Sequence, residues 1–411
     1  MVRRASLKSG LLLTFGFLVS VGLFFAFREM SSIDIADSRG LHRVTQKFLL
    51  KVNPAAPHLQ GDSVFYDDST TKLTPPLARK RQVLLIVAHG RSGSTFLADI
   101  FDKHPRVFYV FEPLHGIRGL QAEDYDEFAT KFLVHIFQCD FSVGKSTWDI
   151  GRFYRFKSRA LSSPPFCKYE QEDPRWNRYY CLPVRQNDLE HSCREHDTTV
   201  YKLLIERIPG QSIEKLFDVC EVAGIECKVI HLVRDIRPLV MSSQKVSFFK
   251  EIDSRESPSM RQFVYSRCEM TERNLNQVKK FPPTLRSRVT VVRFEDLAVE
   301  PLKVLGSLYE FAGLEVLVNI TNWVVKITQP SLKDLKAEEQ NPVSVVRNSL
   351  EVLNKWRLAV DPCHVHVIER YCRDVMKLMG YIATEGSVEI LRNLKISLFT
   401  EIYQAQEWVN N

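Results

Sequence analysis

The sequence predicts an α/β domain built on a parallel β-sheet with helices on both faces. Short apolar runs recur along the chain, and helical patterns lie between most of them. This alternation is typical of parallel sheets, because each parallel connection has to cross back over the sheet, usually as a helix. The predicted strands are Val83–Ala88, Val107–Phe111, Thr199–Ile205, Lys228–Val233 and Val289–Phe294.

The first predicted strand runs into a loop suited to binding a phosphate. The apolar run ends at Ala88, the turn HGRSGST follows, and a helical pattern resumes at Phe96. Such a turn directs backbone N–H groups and the positive end of a helix at one point. No Lys precedes the hydroxyl residues as in a Walker A motif, which argues against nucleotide triphosphate hydrolysis. The alternative is an ordinary Gly/Ser turn. The candidate ligand contacts are Arg91, Ser92, Gly93, Ser94 and Thr95.

A second segment has the residues for another phosphate site. Arg234 follows the predicted strand Lys228–Val233, and Ser242 lies eight positions later, about two helical turns along. An Arg at a strand end and a hydroxyl on the next helix can hold a phosphate between them, with the Arg making a bidentate contact. The alternative is a surface Arg–Asp pair and a solvated Ser.

The two segments together resemble the cofactor signatures of the sulfotransferases. RSGST begins at Arg91, and LVRDxRxxxxS surrounds Arg234. Arg in the first signature is similar to the Golgi carbohydrate 6-O-sulfotransferases, which act on galactose, N-acetylglucosamine or N-acetylgalactosamine. The resemblance covers roughly Arg81 to Tyr381 and continues through three further motifs in the family's order: Val107–His115, Val292–Leu297 and Val346–Arg357.

Three positions depart from the family pattern. Ile236 stands where the family usually has Pro, and Ser243 stands where many members have Arg. After Lys202 the chain reads LLIER, where the family tends to read TVR. These departures bear on substrate specificity more than on cofactor binding.

The resemblance implies a P-loop NTPase-like sulfotransferase fold and a donor, 3′-phosphoadenylyl sulfate. The RSGST loop would hold the 5′-phosphosulfate, while Arg234 and Ser242 would hold the 3′-phosphate. Arg347 would reach the phosphates or the acceptor. The reaction would move a sulfuryl group to a sugar hydroxyl, the 6-OH of one of those three sugars, in a glycoprotein or proteoglycan glycan. No metal ion is expected.

Four residues are candidates for the chemistry. Glu112 closes an apolar run beside the first loop, and ligands bind at such strand ends, so Glu112 is the predicted general base. His115 is the second candidate, and the alternative for Glu112 is a capping or ion-paired carboxylate. Arg91 would stabilise the leaving phosphate, and Lys202 would contact the sulfuryl or bridging oxygen.

Four side chains of other motifs are also assigned. Trp356 either stacks on adenine or a sugar, or lies in the core. Arg293, Glu295 and Asp296 are predicted to form a structural ion network.

The N-terminus predicts a membrane-anchored protein with a lumenal domain. Residues 9–27 contain no charged side chain and as a helix would extend about 28 Å, close to the thickness of a bilayer core. Arg3, Arg4 and Lys8 precede this segment and favour a cytoplasmic N-terminus. The predicted organisation is a cytoplasmic tail at 1–8, a transmembrane signal anchor at 9–27, a stem at 28–78 and a lumenal catalytic domain at 79–411. These features predict a single-pass type II protein, the family resemblance implies the Golgi as its location, and a cleaved signal peptide is the alternative.

The cysteines and the charge agree with a lumenal domain. All nine cysteines lie beyond the anchor, where several should pair and the odd count leaves one over. Cys167, Cys181 and Cys193 could staple an insertion, and Cys363 could pair with Cys372 only if a helix is interrupted. Asn319-Ile-Thr321 is a plausible glycosylation sequon. The net charge of +7 is scattered along the chain, which suits acidic glycans and indicates no nucleic acid partner.

Two other function classes remain open at this stage. A type II glycosyltransferase would use an Asp-x-Asp motif, and Asp124-Tyr125-Asp126 is such a triplet, although its acidic helical context indicates a surface position. A non-catalytic lumenal glycan-binding protein would keep the fold without the reaction.

Overall fold

The predicted parallel sheet is confirmed. The computed structural model describes residues 81–117, 122–143, 155–246, 257–337 and 344–406. Its strands pair throughout in parallel, in the order β2-β3-β1-β4-β5. They are β1 Gln82–Ala88, β2 Val107–Phe111, β3 Thr198–Leu204, β4 Cys227–Val233 and β5 Val289–Arg293.

Helices connect these strands and cover the sheet. In the described residues the α-helices are α1 Ser94–Asp102, α2 Ala122–Phe137, α3 Arg159–Ser162, α4 Gln186–Glu195, α5 Ile213–Val222, α6 Ile236–Lys245, α7 Pro258–Lys280, α8 Pro283–Arg286, α9 Phe294–Val299, α10 Pro301–Ala312, α11 Val318–Thr328, α12 Leu332–Ala337, α13 Ser349–Ala359, α14 Pro362–Tyr371, α15 Arg373–Leu378 and α16 Val388–Arg392. Single turns of 3₁₀ helix occur at Pro113–Ile117, Arg178–Tyr180, Ile205–Arg207 and Pro209–Gln211.

Two predicted strands end one residue early, and the reason is the same for both. Ile205 was expected in β3, but it begins the turn Ile205–Arg207. Phe294 was expected in β5, but it begins α9. Both side chains are buried, so their apolar character reflects burial at the edge of the sheet and not strand pairing.

Both faces of the sheet are buried, which explains the unbroken apolar runs. Alternate residues of β1 point to opposite sides. Leu85 packs in a cluster with residues of α2 and α5, whereas Ile86 packs in a cluster with residues of α1 and α10. The alternation places helices on both faces, as the sequence predicted.

The strand register brings the functional loops together. Ala88 of β1 lies opposite Leu204 of β3 and Leu232 of β4, and Phe111 of β2 lies opposite Lys202. The carboxyl ends of the four strands therefore meet at one edge of the sheet, where ligands bind in open α/β folds.

Four disulfides pair eight of the nine cysteines. They join Cys139 to Cys193, Cys167 to Cys181, Cys220 to Cys227 and Cys268 to Cys372, and Cys363 is free and exposed. The first two staple the segment before β3, as expected.

Cys363 does not pair with Cys372, because the condition for that pairing, an interrupted helix, is not met. α14 is uninterrupted between them, and nine residues of helix separate the two by about 13 Å, beyond the reach of a disulfide. Cys372 is instead buried against α7, where Cys268 meets it.

The predicted tail, anchor and stem at 1–78 lie outside the described residues. Within the part of the chain that the structure describes, no helix combines the length and apolar character needed to cross a membrane.

Candidate active site

The loop between β1 and α1 is closed by its own side chains. Ser92 donates to the His89 carbonyl from its backbone N at 3.3 Å and from its hydroxyl at 2.7 Å. Arg91 and Gly93 adopt left-handed backbone conformations, with φ of 70° and 90°. The Ser92 hydroxyl therefore shapes the loop, whereas Ser94 and Thr95 begin α1.

Gly93 is required at the point where the loop enters α1. A Cβ atom there would lie 2.4 Å from the ring of Phe294, and glycine has no side chain to cap the helix. The first N–H groups of α1 therefore remain for another acceptor, which in such loops is an anion.

The two sequence signatures meet at this loop. The Arg91 Nε donates to the Ser242 hydroxyl of α6 at 3.1 Å, and an Arg234 Nη donates to the Arg91 carbonyl at 2.9 Å. The Arg234 guanidinium also stacks 4.5 Å from the centre of the Phe294 ring. Its buried Nε has no hydrogen-bond partner among the described residues. Arg91, Arg234 and Ser242, which belong to two separate sequence signatures, therefore lie side by side in the structure.

Cations crowd each other in this region. Burial lowers the pKa of Arg91, and the positive charge of Arg347 lowers it further. Burial also lowers the pKa of Arg234; Glu295 and Asp235 act in the opposite direction, and Arg91 adds to the lowering. Like charges gathered at partial burial are unfavourable until an anion joins them, so these residues fit a polyanionic ligand.

Glu112 lies at the end of β2 in an unusual backbone conformation. Its φ is 41°, and its backbone N donates to the Lys202 carbonyl at 3.1 Å. Both carboxylate oxygens accept from cations: Oε1 from the Lys202 Nζ, and Oε2 from an Arg207 Nη at 2.8 Å. The Lys202 ammonium is buried and lies 4.2 Å from the centre of the Phe111 ring.

The electrostatics of this cluster keep Glu112 ionised. Burial alone would raise the pKa of Glu112, but the charges and hydrogen bonds of Lys202 and Arg207 lower it overall. Burial lowers the pKa of Lys202, and Glu112 partly opposes that shift. The result is a carboxylate that is charged at neutral pH and shared between two cations.

Sequence reasoning missed Arg207. It follows Lys202 by five positions in the segment LLIER, which departs from the family pattern and matched no motif. The only available signal was a second cation just beyond a predicted strand end, and such a residue is common at protein surfaces.

The remaining candidates have mainly local contacts. His115 is half-buried in the turn Pro113–Ile117, where its backbone N donates to the Glu112 carbonyl at 2.9 Å. Trp356 donates from its ring to the Leu353 carbonyl at 2.8 Å and packs in a small apolar cluster, which favours the core role. Arg347 is exposed just before α13.

The ion network in RFEDL is structural, as predicted. Arg293 is fully buried and pairs with Asp296 at 2.6 Å. It also donates to the carbonyls of Met379 at 3.0 Å and Thr400 at 2.8 Å. These contacts tie the end of β5 to the C-terminal segment.

The acidic triplet lies on α2, as its helical context predicted. Asp124 and Asp126 are exposed, and Asp126 accepts from the backbone N of Gly210 at 2.9 Å. Within the described ranges no group of three or more His, Cys, Asp or Glu side chains has the geometry to hold a metal ion.

Comparison with known proteins agrees with this geometry. The sulfotransferase domain family matches residues 81–380. Carbohydrate sulfotransferase 6 of Homo sapiens is 27% identical over 79% of this chain and 87% of its own. Carbohydrate sulfotransferase 3 of Homo sapiens is 27% identical over 91% of this chain and 82% of its own. Among solved structures, the sulfotransferase domain of the Synechococcus PCC 7002 olefin synthase is 16% identical over 72% of this chain, with a TM-score of 0.38. The chain therefore belongs to the sulfotransferase family.

Proposed function

We propose that this enzyme transfers a sulfuryl group from 3′-phosphoadenylyl sulfate to the 6-hydroxyl of N-acetylglucosamine, galactose or N-acetylgalactosamine in a glycoprotein or proteoglycan glycan. The observation that carries the proposal is the convergence of Arg91, Arg234 and Ser242 at the loop before α1. The names of the similar carbohydrate sulfotransferases support a sugar acceptor.

The loop and its cations would bind the sulfuryl donor. Arg91 and the N–H groups from Gly93 to Thr95 are suited to the 5′-phosphosulfate, since they combine a fixed cation with an uncapped helix N-terminus. Arg234 and Ser242 are suited to the 3′-phosphate. Arg347, whose charge acts on Arg91, would complete the neutralisation of the phosphates.

Transfer would proceed by in-line attack. The acceptor hydroxyl oxygen forms a bond to sulfur, the bond between sulfur and the 5′-phosphate oxygen breaks, and adenosine 3′,5′-bisphosphate leaves. Glu112 takes the hydroxyl proton, and Arg91 stabilises the charge that develops on the leaving phosphate. Because its pKa is lowered, Glu112 is already ionised before the acceptor binds, as a general base has to be.

Lys202 binds Glu112 in this structure, and during transfer it would bind the sulfuryl donor instead. Both oxygens of Glu112 accept hydrogen bonds from cations, which lower its basicity, so loss of one contact would make the carboxylate a better proton acceptor. Lys202 has the more flexible side chain and would turn to the sulfuryl or bridging oxygen of the donor. Binding of the donor would thereby free one oxygen of the base.

Two measurements test this function. Isothermal titration of the catalytic domain should detect adenosine 3′,5′-bisphosphate and not a sugar nucleotide. Binding of a sugar nucleotide alone would favour a glycosyltransferase. A sulfate-transfer assay over desulfated glycans, with linkage analysis, should give a 6-O-sulfated product. Binding of the bisphosphate without transfer to any glycan would favour a non-catalytic protein.

The proposed location is the Golgi membrane, with the catalytic domain in the lumen. The charge-free segment at 9–27 and the basic residues before it support a type II anchor. The four disulfides support an oxidising compartment. Protease protection of the domain in sealed Golgi vesicles tests the topology, and digestion without detergent would contradict it.

A further inference from the structure

A buried ionic cluster that the proposed chemistry does not use lies under the loop. His89 directly follows β1, Glu206 lies in the turn after β3, and Arg267 lies on α7. The Glu206 Oε1 accepts from the His89 Nδ1 at 3.0 Å and from the Arg267 Nε at 2.9 Å. On the other side of the ring, the His89 Nε2 lies 3.1 Å from the Arg267 carbonyl and 2.9 Å from the Thr271 hydroxyl.

These contacts fit a positively charged His89. The Arg267 carbonyl can only accept, and the Thr271 hydroxyl donates to that same carbonyl at 2.8 Å, so Nε2 has to donate. Nδ1 faces the carboxylate of Glu206. Burial would raise the pKa of Glu206, but the charges and hydrogen bonds of His89 and Arg267 lower it to about 2. A ring that faces acceptors at both nitrogens carries both protons.

The cluster connects the two halves of the site. The His89 carbonyl receives both hydrogen bonds that close the loop at Ser92. The residue after Glu206 is Arg207, which holds an oxygen of Glu112 at 2.8 Å. Glu206 thus binds His89 of the loop that would hold the sulfuryl donor, and it is next in sequence to Arg207, which binds the candidate base Glu112.

We propose that Glu206 is a positioning residue. Through cationic His89 and Arg267, it holds the loop between β1 and α1 in place relative to Arg207 and Glu112. The second half of this proposal rests on the proposed role of Glu112. The Glu206 Oε2 is buried and has no hydrogen-bond partner among the described residues, so both ion pairs of the carboxylate form at Oε1.

Glu206→Gln tests the proposal, since glutamine keeps an accepting oxygen and loses the charge. We expect the affinity for adenosine 3′,5′-bisphosphate and the kcat for transfer each to fall roughly tenfold, the scale of one charged hydrogen bond.

A double-mutant cycle separates positioning from simple loss of stability. If His89 and Glu206 act as a unit, His89→Gln with Glu206→Gln should bind the bisphosphate about as well as Glu206→Gln alone. Asp197→Asn is the matched control. It breaks the 2.7 Å ion pair with Arg106, which lies at the amino ends of the strands, away from the site. We expect it to change the melting temperature only.

Two results would overturn the proposal. One is a Glu206→Gln enzyme with wild-type bisphosphate affinity and kcat. The other is a set of effects confined, like those of Asp197→Asn, to the melting temperature. If Glu112→Gln kept its turnover, the base assignment would fall, but the bisphosphate affinity of Glu206→Gln would still report on the loop.

Discussion

Replacing Gly93 by alanine should disable binding of the sulfuryl donor. The new Cβ would lie 2.4 Å from two ring carbons of Phe294, on a residue whose φ is 90°. A left-handed conformation costs an L-residue about 1–2 kcal/mol. The displaced ring would no longer support Arg234, which hydrogen-bonds the Arg91 carbonyl, and a charged hydrogen bond contributes about 1.5–3 kcal/mol. We therefore expect affinity for adenosine 3′,5′-bisphosphate to fall by about 3 kcal/mol, roughly 150-fold, in isothermal titration.

Gly313→Ala separates this clash from backbone strain alone. Gly313 follows α10 with a φ of 68°, and apart from its chain neighbours and the helix backbone no described residue has an atom within 4 Å of the position of its Cβ. That variant should lose about 1 kcal/mol of unfolding free energy and bind the bisphosphate normally. If Gly93→Ala bound the bisphosphate within about twofold of wild type, the contact with Phe294 would not be what shapes the site.

The other predictions concern charge at the site and in the core. Arg91→Ala should weaken bisphosphate binding by about 2–3 kcal/mol in titration, and unchanged affinity would contradict the loop assignment. Glu112→Gln should bind the bisphosphate nearly normally but turn over about 10²–10⁴-fold more slowly, and near-normal turnover would rule Glu112 out as the base. Transfer should survive exhaustive chelation, because Arg91, Arg234 and Lys202 supply the positive charge; activity lost in chelator and restored by Mn²⁺ would contradict this. Burial and then Asp235 raise the pKa of Glu295 to about 7, from 4.5, so its stabilising contribution is complete below about pH 4.5 and is lost as pH rises through 7. Glu295→Gln should flatten that part of a plot of melting temperature against pH, and an unchanged slope would refute the assignment.

The strands were predictable because both faces of the sheet are buried. A parallel strand covered on both sides has to be apolar throughout, so Val83–Ala88 is recognisable without its partners. The meeting of Arg91 with Arg234 followed from the same logic, since carboxyl ends of parallel strands share an edge. The ends of β3 and β5 were less predictable, because a buried Ile or Phe is compatible both with the last position of a strand and with the turn that follows it.

Contacts between distant segments were beyond sequence reasoning. Cys268 and Cys372 are 104 positions apart, and only the packing of α7 against the end of α14 brings them together. The contact of Arg207 with Glu112 depends on the turn Ile205–Arg207, which has no local signal. The cluster of His89, Glu206 and Arg267 likewise joins residues from three elements, and each residue alone has the sequence context of an ordinary surface charge.

The arrangement of the disulfides bears on how the chain matures. The pair Cys167–Cys181 lies inside the interval closed by Cys139 and Cys193, and the bonds 220–227 and 268–372 follow without overlapping it. No bond crosses another along the chain. During synthesis from the N-terminus, however, Cys167 emerges before Cys193 and Cys363 emerges before Cys372, so Cys139 and Cys268 each meet another thiol before their own partner. We therefore expect oxidation to need an isomerase at these two points, and the unpaired Cys363 is the thiol through which a mispaired or mixed-disulfide species with Cys268 would form.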